Sequence, residues 1–200
     1  MGKTKVSIAI IGEGETEWFY FDSLRRSKRY SFSIEPSLPQ HADIEHIMKL
    51  VSKAVFDQYD YVFCLVDMDR IMATPKERER YVKYVNTYKD TKVTFIESMP
   101  CTEFWFLLHF WEHCRTKIYP DYNSLLPELK KHLQGYEKTK DFFRKNSLYE
   151  ILAKQGNLKR AKEFAEELTK KSKNNTLNET FSYSEIFRVL DALEKIGYGF

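Results

Sequence analysis

The sequence predicts an α/β fold: a central parallel sheet of about four strands, flanked by helices, with a helical C-terminal part. Short runs rich in β-branched and aromatic residues alternate with segments of helical spacing up to about residue 98, which is the pattern of consecutive β-α units in a parallel sheet. After residue 100, every patterned segment has helical spacing. The chain has 200 residues, 42% of them hydrophobic, which is enough for one sizeable core.

The first two β-α units occupy the start of the chain. Residues 5–11 are rich in β-branched residues and end at the turn Gly12–Gly14, after which residues 17–24 take up helical spacing. Residues 31–34 give a second short strand. The apolar side chains of residues 44–55 then recur at helical spacing behind an Asp at the N-cap position. The segment predicts strand, helix, strand and helix in that order.

The third strand is the clearest, because residues 61–66 form an unbroken apolar run that ends abruptly at Asp67. Thr74 and Pro75 then open a third helix, as a cap residue and a first-turn proline do. Residues 92–97 give a fourth strand. Four further helices are predicted at residues 102–111, 123–133, 158–171 and 184–196.

This pattern divides the chain into an α/β domain at residues 1–114 and a helical extension at residues 115–200 that packs on it, with a linker-like stretch at residues 173–180. No apolar run approaches the roughly 18 residues of a membrane span. The three cysteines lie far apart among apolar residues, which is typical of reduced, structural thiols. We therefore expect a cytoplasmic protein with no membrane partner.

Acidic residues lie at the predicted ends of several strands. Glu13 follows the first strand, Asp67 and Asp69 follow the third, and Glu97 ends the fourth. The carboxyl ends of parallel strands meet at one edge of the sheet, where ligands bind, and two residues one apart in an extended chain point to the same side. Because Mg²⁺ prefers carboxylate oxygens, Glu13, Asp67 and Asp69 predict a divalent metal site. For a single acid, capping of the following helix is an equally good explanation.

Basic residues are concentrated in another part of the chain, since Lys and Arg outnumber Asp and Glu over residues 115–173. A basic surface beside a metal site is what an enzyme acting on a polyanion needs. The candidates for contact with a nucleic-acid backbone are Arg144, Lys145, Lys159 and Arg160. A solvated basic helix face has the same composition, so the charge run alone does not distinguish the two.

Two groups of motifs resemble a known family. Glu13-Gly14-Glu15-Thr16-Glu17 after the first strand, followed by Asp67-Met68-Asp69 after the third, resembles the Toprim fold of primases, topoisomerases and overcoming-lysogenization-defect nucleases. That resemblance covers residues 5 to about 98. The segment Ser98–Phe110, SMPCTEFWFLLHF, makes the chain look more narrowly like an RloB-like protein, up to about residue 113.

By this resemblance, Glu13 is a catalytic glutamate and metal ligand, Glu17 a second catalytic acid, and Asp67 and Asp69 the metal-binding pair. The resemblance implies cleavage of DNA or RNA phosphodiesters with Mg²⁺ or Mn²⁺, in phage defence through abortive infection or restriction. The chain has no ATPase motif, so energy-dependent sensing needs a separate ATPase or defence-system protein as partner. Toprim proteins often have a further acid or Gly after Asp-x-Asp, whereas Arg70 follows here. The number of metals and the oligomeric state are left open.

Two further residues have both a functional and a structural explanation. Arg70 is placed to stabilise charge on the phosphorus during phosphodiester cleavage, or to pair with a neighbouring carboxylate. Glu103 is a candidate metal ligand, or an acid that stabilises the start of the following helix.

Other activities fit parts of the sequence. Asp67–Asp69 is similar to the Asp-x-Asp of haloacid-dehalogenase phosphohydrolases, but that motif normally lies on the first strand. His109-Phe-Trp-Glu-His113 matches the His-x-x-Glu-His pattern of inverted zinc metalloproteases, and Glu128 or Glu150 would supply a third ligand. The apolar residues around His109 are instead typical of a core helix. A catalytically silent Toprim-like module that binds nucleic acid or a partner protein is the third alternative.

Overall fold

The computed structural model describes residues 6–35, 43–174 and 181–198. Its strands are β1 (Ile8–Ile11), β2 (Ser33–Glu35), β3 (Tyr61–Asp67), β4 (Val93–Met99) and β5 (Tyr183–Ser184). Its helices are α1 (Glu15–Lys28), α2 (Ile44–Phe56), α3 (Met68–Ala73), α4 (Pro75–Thr87), α5 (Glu103–Leu108), α6 (Tyr122–His132), α7 (Lys140–Lys145), α8 (Leu148–Gln155), α9 (Leu158–Lys173) and α10 (Ile186–Leu193), which continues into a π-helical turn (Glu194–Tyr198). Lys5, at the start of the predicted first strand, and residues 175–180 of the linker-like stretch lie outside the described residues.

The strands form one sheet in the order β2-β1-β3-β4-β5. The first four of these are parallel, and β5 is antiparallel to β4. The α/β fold with a mainly parallel sheet flanked by helices is therefore confirmed. Since β1 pairs with β2 on one side and with β3 on the other, the strand order reverses between β1 and β3. Open α/β sheets bind ligands at such a reversal, beyond the carboxyl ends of the strands.

β5 is a strand in a region where the sequence predicted only helices. Ser98 pairs with Ser184 and Met99 with Tyr183, and the two serine hydroxyls lie 2.8 Å apart. The predicted helix from residue 184 is therefore wrong at its start, and α10 begins at Ile186. Two residues are too few to show the alternation by which a strand is predicted.

Local sequence explains where several helices begin. Asp43 caps α2 by accepting the N–H of His46 over 2.8 Å, and Thr74 caps α4 by accepting the N–H of Glu77 over 3.2 Å.

Some helices differ from the prediction. α5 ends at Leu108, earlier than predicted. α7 and α8 lie where no helix was predicted, because elements of six and eight residues are too short for a clear periodic pattern.

Apolar side chains cover both faces of the sheet, and successive residues of each strand alternate between them. Ile10 and Leu65 pack against one layer, whereas Ile11 and Val66 pack against the other. The first layer contains α1 and the helices from α5 to α10, and the second contains α2, α3 and α4. The core beneath the first layer joins side chains such as Trp105 with side chains from beyond residue 114.

The division of the chain into two domains at residue 114 stays a prediction. Among the described residues, no helix combines the length and apolar character needed to cross a bilayer.

Candidate active site

The site lies at the carboxyl ends of β1 and β3, where the strand order reverses. Glu13 is in the turn after β1, and Asp67 is the last residue of β3. The N–H of Asp67 donates to Glu13 Oε1 over 3.3 Å. Gly12 allows the turn to lie against α1, because a Cβ there would come within 2.7 Å of the Glu17 Cβ. The fold thus brings together acids that are far apart in sequence.

Glu13 is buried and forms an ion pair with one cation. Arg70 Nη1 lies 3.0 Å from Glu13 Oε2. Burial raises the pKa of Glu13 to about 8, although the Arg70 guanidinium opposes the rise, and the negative charges of Glu17 and Asp69 add to it. The ionised form of Glu13 is therefore only partly compensated by its surroundings.

Asp67 is held by the loop that follows β4. Its Oδ1 accepts the N–H of Thr102 over 2.9 Å and the Thr102 hydroxyl over 3.2 Å. Burial, followed by the charges of Glu17, Glu13 and Glu103, raises the pKa of Asp67 well above its ordinary value. Two neutral donors fix the position of this carboxyl group without neutralising it.

Asp69 lies in the first turn of α3, not in an extended segment. The chain becomes helical at Met68, so the expectation that Asp67 and Asp69 point to the same side of an extended chain is wrong. The N–H of Asp69 donates to the carbonyl of Pro100 over 3.0 Å. Burial raises the pKa of its half-buried carboxyl group. Both acids are thus fixed by the segment between β4 and α5.

Glu17 is buried in the first turn of α1. Its Oε2 accepts the N–H of Gly14 over 2.8 Å, which caps the helix. Its Oε1 is buried and has no hydrogen-bond partner among the described residues. A buried carboxylate oxygen without a partner is costly.

Glu103, at the start of α5, is fully buried and connects three parts of the chain. Its Oε1 accepts the Thr16 hydroxyl over 3.0 Å and the Tyr136 hydroxyl over 3.1 Å, and Lys138 Nζ lies 2.9 Å away. Burial, the largest single influence, would raise the pKa of Glu103, but the charge of Lys138 and the hydrogen bonds to this carboxylate together outweigh burial and lower it. Within the described chain, Glu103 Oε2 is buried without a hydrogen bond.

Lys138, Thr16 and Thr102 contact the acids of the site but were not among the residues predicted from the sequence. Lys138 lies between α6 and α7, and its side chain is 34% exposed. Burial would lower its pKa, but the charges of Glu103, Glu17 and Asp67 raise it above its ordinary value. A lone lysine between two helices carries no local signal of this role, because its partners are distant in sequence.

Glu97 does not join these acids. It lies within β4, and its carboxylate accepts the hydroxyls of Tyr81 over 2.6 Å and Tyr183 over 2.8 Å. Its N–H donates to Glu185. The expectation that Glu97 shares the strand-end site is wrong. β4 continues past Glu97 to Met99, and the last two residues of β4 pair with β5.

A family model for RloB-like proteins matches residues 8–193. The chain belongs to the RloB-like family. The match continues past residue 113, where the resemblance in the sequence ended, and includes the described helices α6 to α10. No curated protein and no solved structure matches the chain.

The acidic residues of this RloB-like protein fit Mg²⁺ in donor chemistry and in charge. Carboxylate oxygens are the ligands that Mg²⁺ prefers. The site has five carboxyl groups and two cations, Arg70 and Lys138. The five acids are Glu13, Glu17, Asp67, Asp69 and Glu103. Within the described ranges, no three carboxylate, imidazole or thiol groups are arranged as a ready metal site. A bound cation would therefore require side chains to adjust.

The four basic residues predicted to contact nucleic acid lie on two helices of the RloB-like protein. Arg144 and Lys145 are exposed at the end of α7, Lys159 is exposed on α9, and Arg160 beside it is half-buried. Arg160 Nε is buried and has no hydrogen-bond partner among the described residues. No hydrogen bond or ion pair in the described chain links the four to the acidic residues.

The residues of the zinc-protease pattern do not share a helical face in this RloB-like protein. α5 ends before His109, and His113 is exposed in the loop beyond it. His109 is buried, its Nδ1 lies 2.9 Å from the Trp105 carbonyl, and burial lowers its pKa to about 4. Glu128, one proposed third ligand, is held by Arg115, Lys117 and Tyr119. The helical geometry on which the zinc hypothesis depended is wrong.

Proposed function

We propose that this RloB-like protein is a Mg²⁺-dependent nuclease that cleaves nucleic-acid phosphodiesters. The observation that carries the proposal is the contact of Glu13 with Asp67 across β1 and β3. This contact gathers hard oxygen donors at the strand-order reversal, where α/β proteins bind ligands. The raised pKa values of Glu13 and Asp67 indicate acids whose negative charge lacks enough compensation. A divalent cation supplies that compensation.

Glu13, Asp67 and Asp69 are the side chains that would hold the metal. Glu103 is a weaker candidate, because three donors already engage its Oε1. When bound, Mg²⁺ neutralises charge on the phosphate and polarises the phosphorus toward attack. Manganese prefers the same oxygen donors and should replace it.

The chain's own groups have distinct tasks in this proposal. Glu13 acts as a metal ligand or as the general base that takes a proton from water. The Arg70 side chain is about half exposed. In this proposal it contacts a phosphate oxygen and stabilises the charge that develops there. Thr102 keeps Asp67 in place. Glu17, the second acid by resemblance, keeps the turn after β1 in position through Gly14.

The substrate and the biological role rest on the family resemblance. We propose DNA or RNA as the substrate, with Arg144, Lys145, Lys159 and Arg160 contacting its backbone. We also propose a Toprim-type mechanism in phage defence, by abortive infection or restriction, with a separate ATPase or defence-system protein as partner.

A catalytically silent module is the second candidate, and a specific observation favours it. Arg70 and Lys138 already pair with Glu13 and Glu103, so the acidic residues are partly neutralised without a metal. In such a module the site would bind a nucleic acid or protein partner and turn nothing over. A haloacid-dehalogenase activity has less support, because Asp67 ends the third strand in the chain.

Metal-dependent cleavage distinguishes these candidates. Panels of DNA and RNA are incubated with wild-type protein in Mg²⁺, Mn²⁺ or EDTA, and with Asp67→Asn and Asp69→Asn, which keep the side-chain shape. Glu79→Gln, an exposed acid on α4, is the matched control. We expect cleavage by the wild type and the control, none in EDTA, and a loss of at least about 100-fold in both Asp variants. Binding without cleavage under all conditions supports the silent module, and hydrolysis of small phosphomonoesters alone supports the phosphohydrolase.

A further inference from the structure

Three side chains of a short segment in the C-terminal half contact an acid of the site or an acid beside it. Tyr136 donates to Glu103 over 3.1 Å, Lys138 Nζ lies 2.9 Å from the same Oε1, and Lys140 Nζ lies 3.1 Å from Glu15. We call residues 136–140 the lysine segment. It begins after α6 and reaches the first residue of α7.

Lys138 is the only one of the three whose charge acts on the acids of the site as a group. It interacts electrostatically with Glu103, Glu17 and Asp67. Lys140 is paired with Glu15, which lies at the start of α1 and outside the metal-binding set. The two lysines therefore differ in what they neutralise, although they are two residues apart.

The Lys138 ammonium group can leave the site at low steric cost. Its side chain is 34% exposed, and a lysine ammonium is a point charge on a flexible stem of four carbons. It also lies 4.9 Å from the centre of the Tyr122 ring, which offers a cation a second contact. Glu103 Oε2 is buried without a hydrogen bond of normal geometry among the described residues.

We propose that Lys138 is a tethered counter-cation that competes with the divalent metal for the acidic residues, and that metal binding releases the lysine segment from Glu103. The inference rests on the proposed metal site and adds a regulation of it. The Lys138 ammonium group interacts electrostatically with Asp67 and Asp69, two of the acids that would hold the metal. One positive charge on a side chain and two on an ion are thus drawn to shared carboxyl groups, and both cannot be fully accommodated. Occupancy of the site is thereby coupled to the position of a segment in the C-terminal half.

Calorimetric titration with MgCl₂ tests the competition in the full chain. The variants are Lys138→Met, which keeps the length of the side chain, Lys138→Arg, which keeps its charge, and Lys140→Met as the matched control. We expect Lys138→Met to bind Mg²⁺ about tenfold more tightly than wild type. Lys138→Arg and Lys140→Met should stay within about threefold of wild type.

Hydrogen exchange of the wild type tests the release without any substitution. The N–H of Tyr136 donates to the Leu133 carbonyl over 3.1 Å, so its exchange reports on the segment. We expect Mg²⁺ to speed exchange across residues 134–140. This measurement decides the matter if Lys138→Met does not fold.

The outcomes separate the two proposals. Binding of Mg²⁺ by wild type with no strengthening in Lys138→Met, or with slower exchange in the lysine segment, overturns the competition and leaves the metal site standing. Absence of Mg²⁺ binding in wild type and in every folded variant overturns both.

Discussion

The backbone N–H of Asp67 donates to the Glu13 carboxylate over 3.3 Å, although 54 residues separate them. The contact exists because β1 and β3 are adjacent and parallel, so that their carboxyl ends coincide. It places two buried acids side by side, and Arg70 pairs with one of them, Glu13. Several measurable properties follow from this crowding of negative charge.

The stability of the metal-free protein should fall as pH rises. The pKa of Glu13 is raised from 4.5 to about 8, so the folded state keeps a proton that the unfolded state releases. The resulting stabilisation is complete below about pH 4.5 and is lost as pH rises through about 8. Asp67 acts in the same direction. Urea unfolding in EDTA between pH 5 and 9 measures the effect.

Glu13→Gln removes one of the two buried acids that determine that profile. We expect a flatter dependence of the free energy of unfolding on pH than in wild type, whereas the exposed control Glu79→Gln keeps the wild-type slope. Equal slopes in wild type and Glu13→Gln would show that Glu13 ionises freely and that the acids are not crowded.

Thr102 should contribute to the site through its hydroxyl group. Thr102→Val removes the hydrogen bond to Asp67 Oδ1 but keeps the backbone N–H bond. We expect a loss of about 1–2 kcal/mol in the free energy of unfolding and weaker Mg²⁺ binding, and Thr102→Ser should restore both. Calorimetry and urea unfolding provide the measurements. If Val and Ser behave alike, the hydroxyl group has no such role.

How much of this was predictable depends on how local each signal is. The apolar run of residues 61–66 and its abrupt end at Asp67 mark β3 by themselves, and similar runs mark β1 and β4. The family motifs are local too. Strand ends therefore indicated Glu13 and Asp67 correctly as neighbours, because parallel adjacent strands end at one edge.

Other features depend on contacts that no sequence window contains. Lys138 reaches Glu103 from a loop, and β5 has two residues whose pairing partners lie in β4. The His109–His113 spacing predicted one helical face, but the helix ends at Leu108. Asp69 turned out to be helical, because Met68 already begins α3.

His109 should behave as a core residue. It is buried against Trp105 with ring centroids 4.7 Å apart, so His109→Ala should lower the free energy of unfolding by about 2–4 kcal/mol. His113→Ala, in an exposed position, should change it by less than about 0.5 kcal/mol. Neither change should alter bound zinc, measured by elemental analysis. Stoichiometric zinc that is lost in His113→Ala would revive the zinc hypothesis.

The exposed basic residues of α7 should affect nucleic-acid binding through salt dependence. Arg144→Ala combined with Lys145→Ala should reduce the slope of log affinity against log salt by about two, if each contacts one phosphate. Lys76→Ala combined with Lys89→Ala removes two exposed charges elsewhere and should leave the slope unchanged. Fluorescence anisotropy at several salt concentrations measures both. An equal reduction in the two double variants would mean that the effect is one of net charge.

The position of a bound metal tests the central claim most directly. Crystals of the wild-type protein grown with Mn²⁺ are measured at an X-ray wavelength where manganese scatters anomalously. The account predicts an anomalous peak beside the carboxylates of Glu13, Asp67 and Asp69, absent in Asp67→Asn. A peak only beside Glu97 and Glu185, or none at the strand ends in the presence of Mn²⁺, would contradict it.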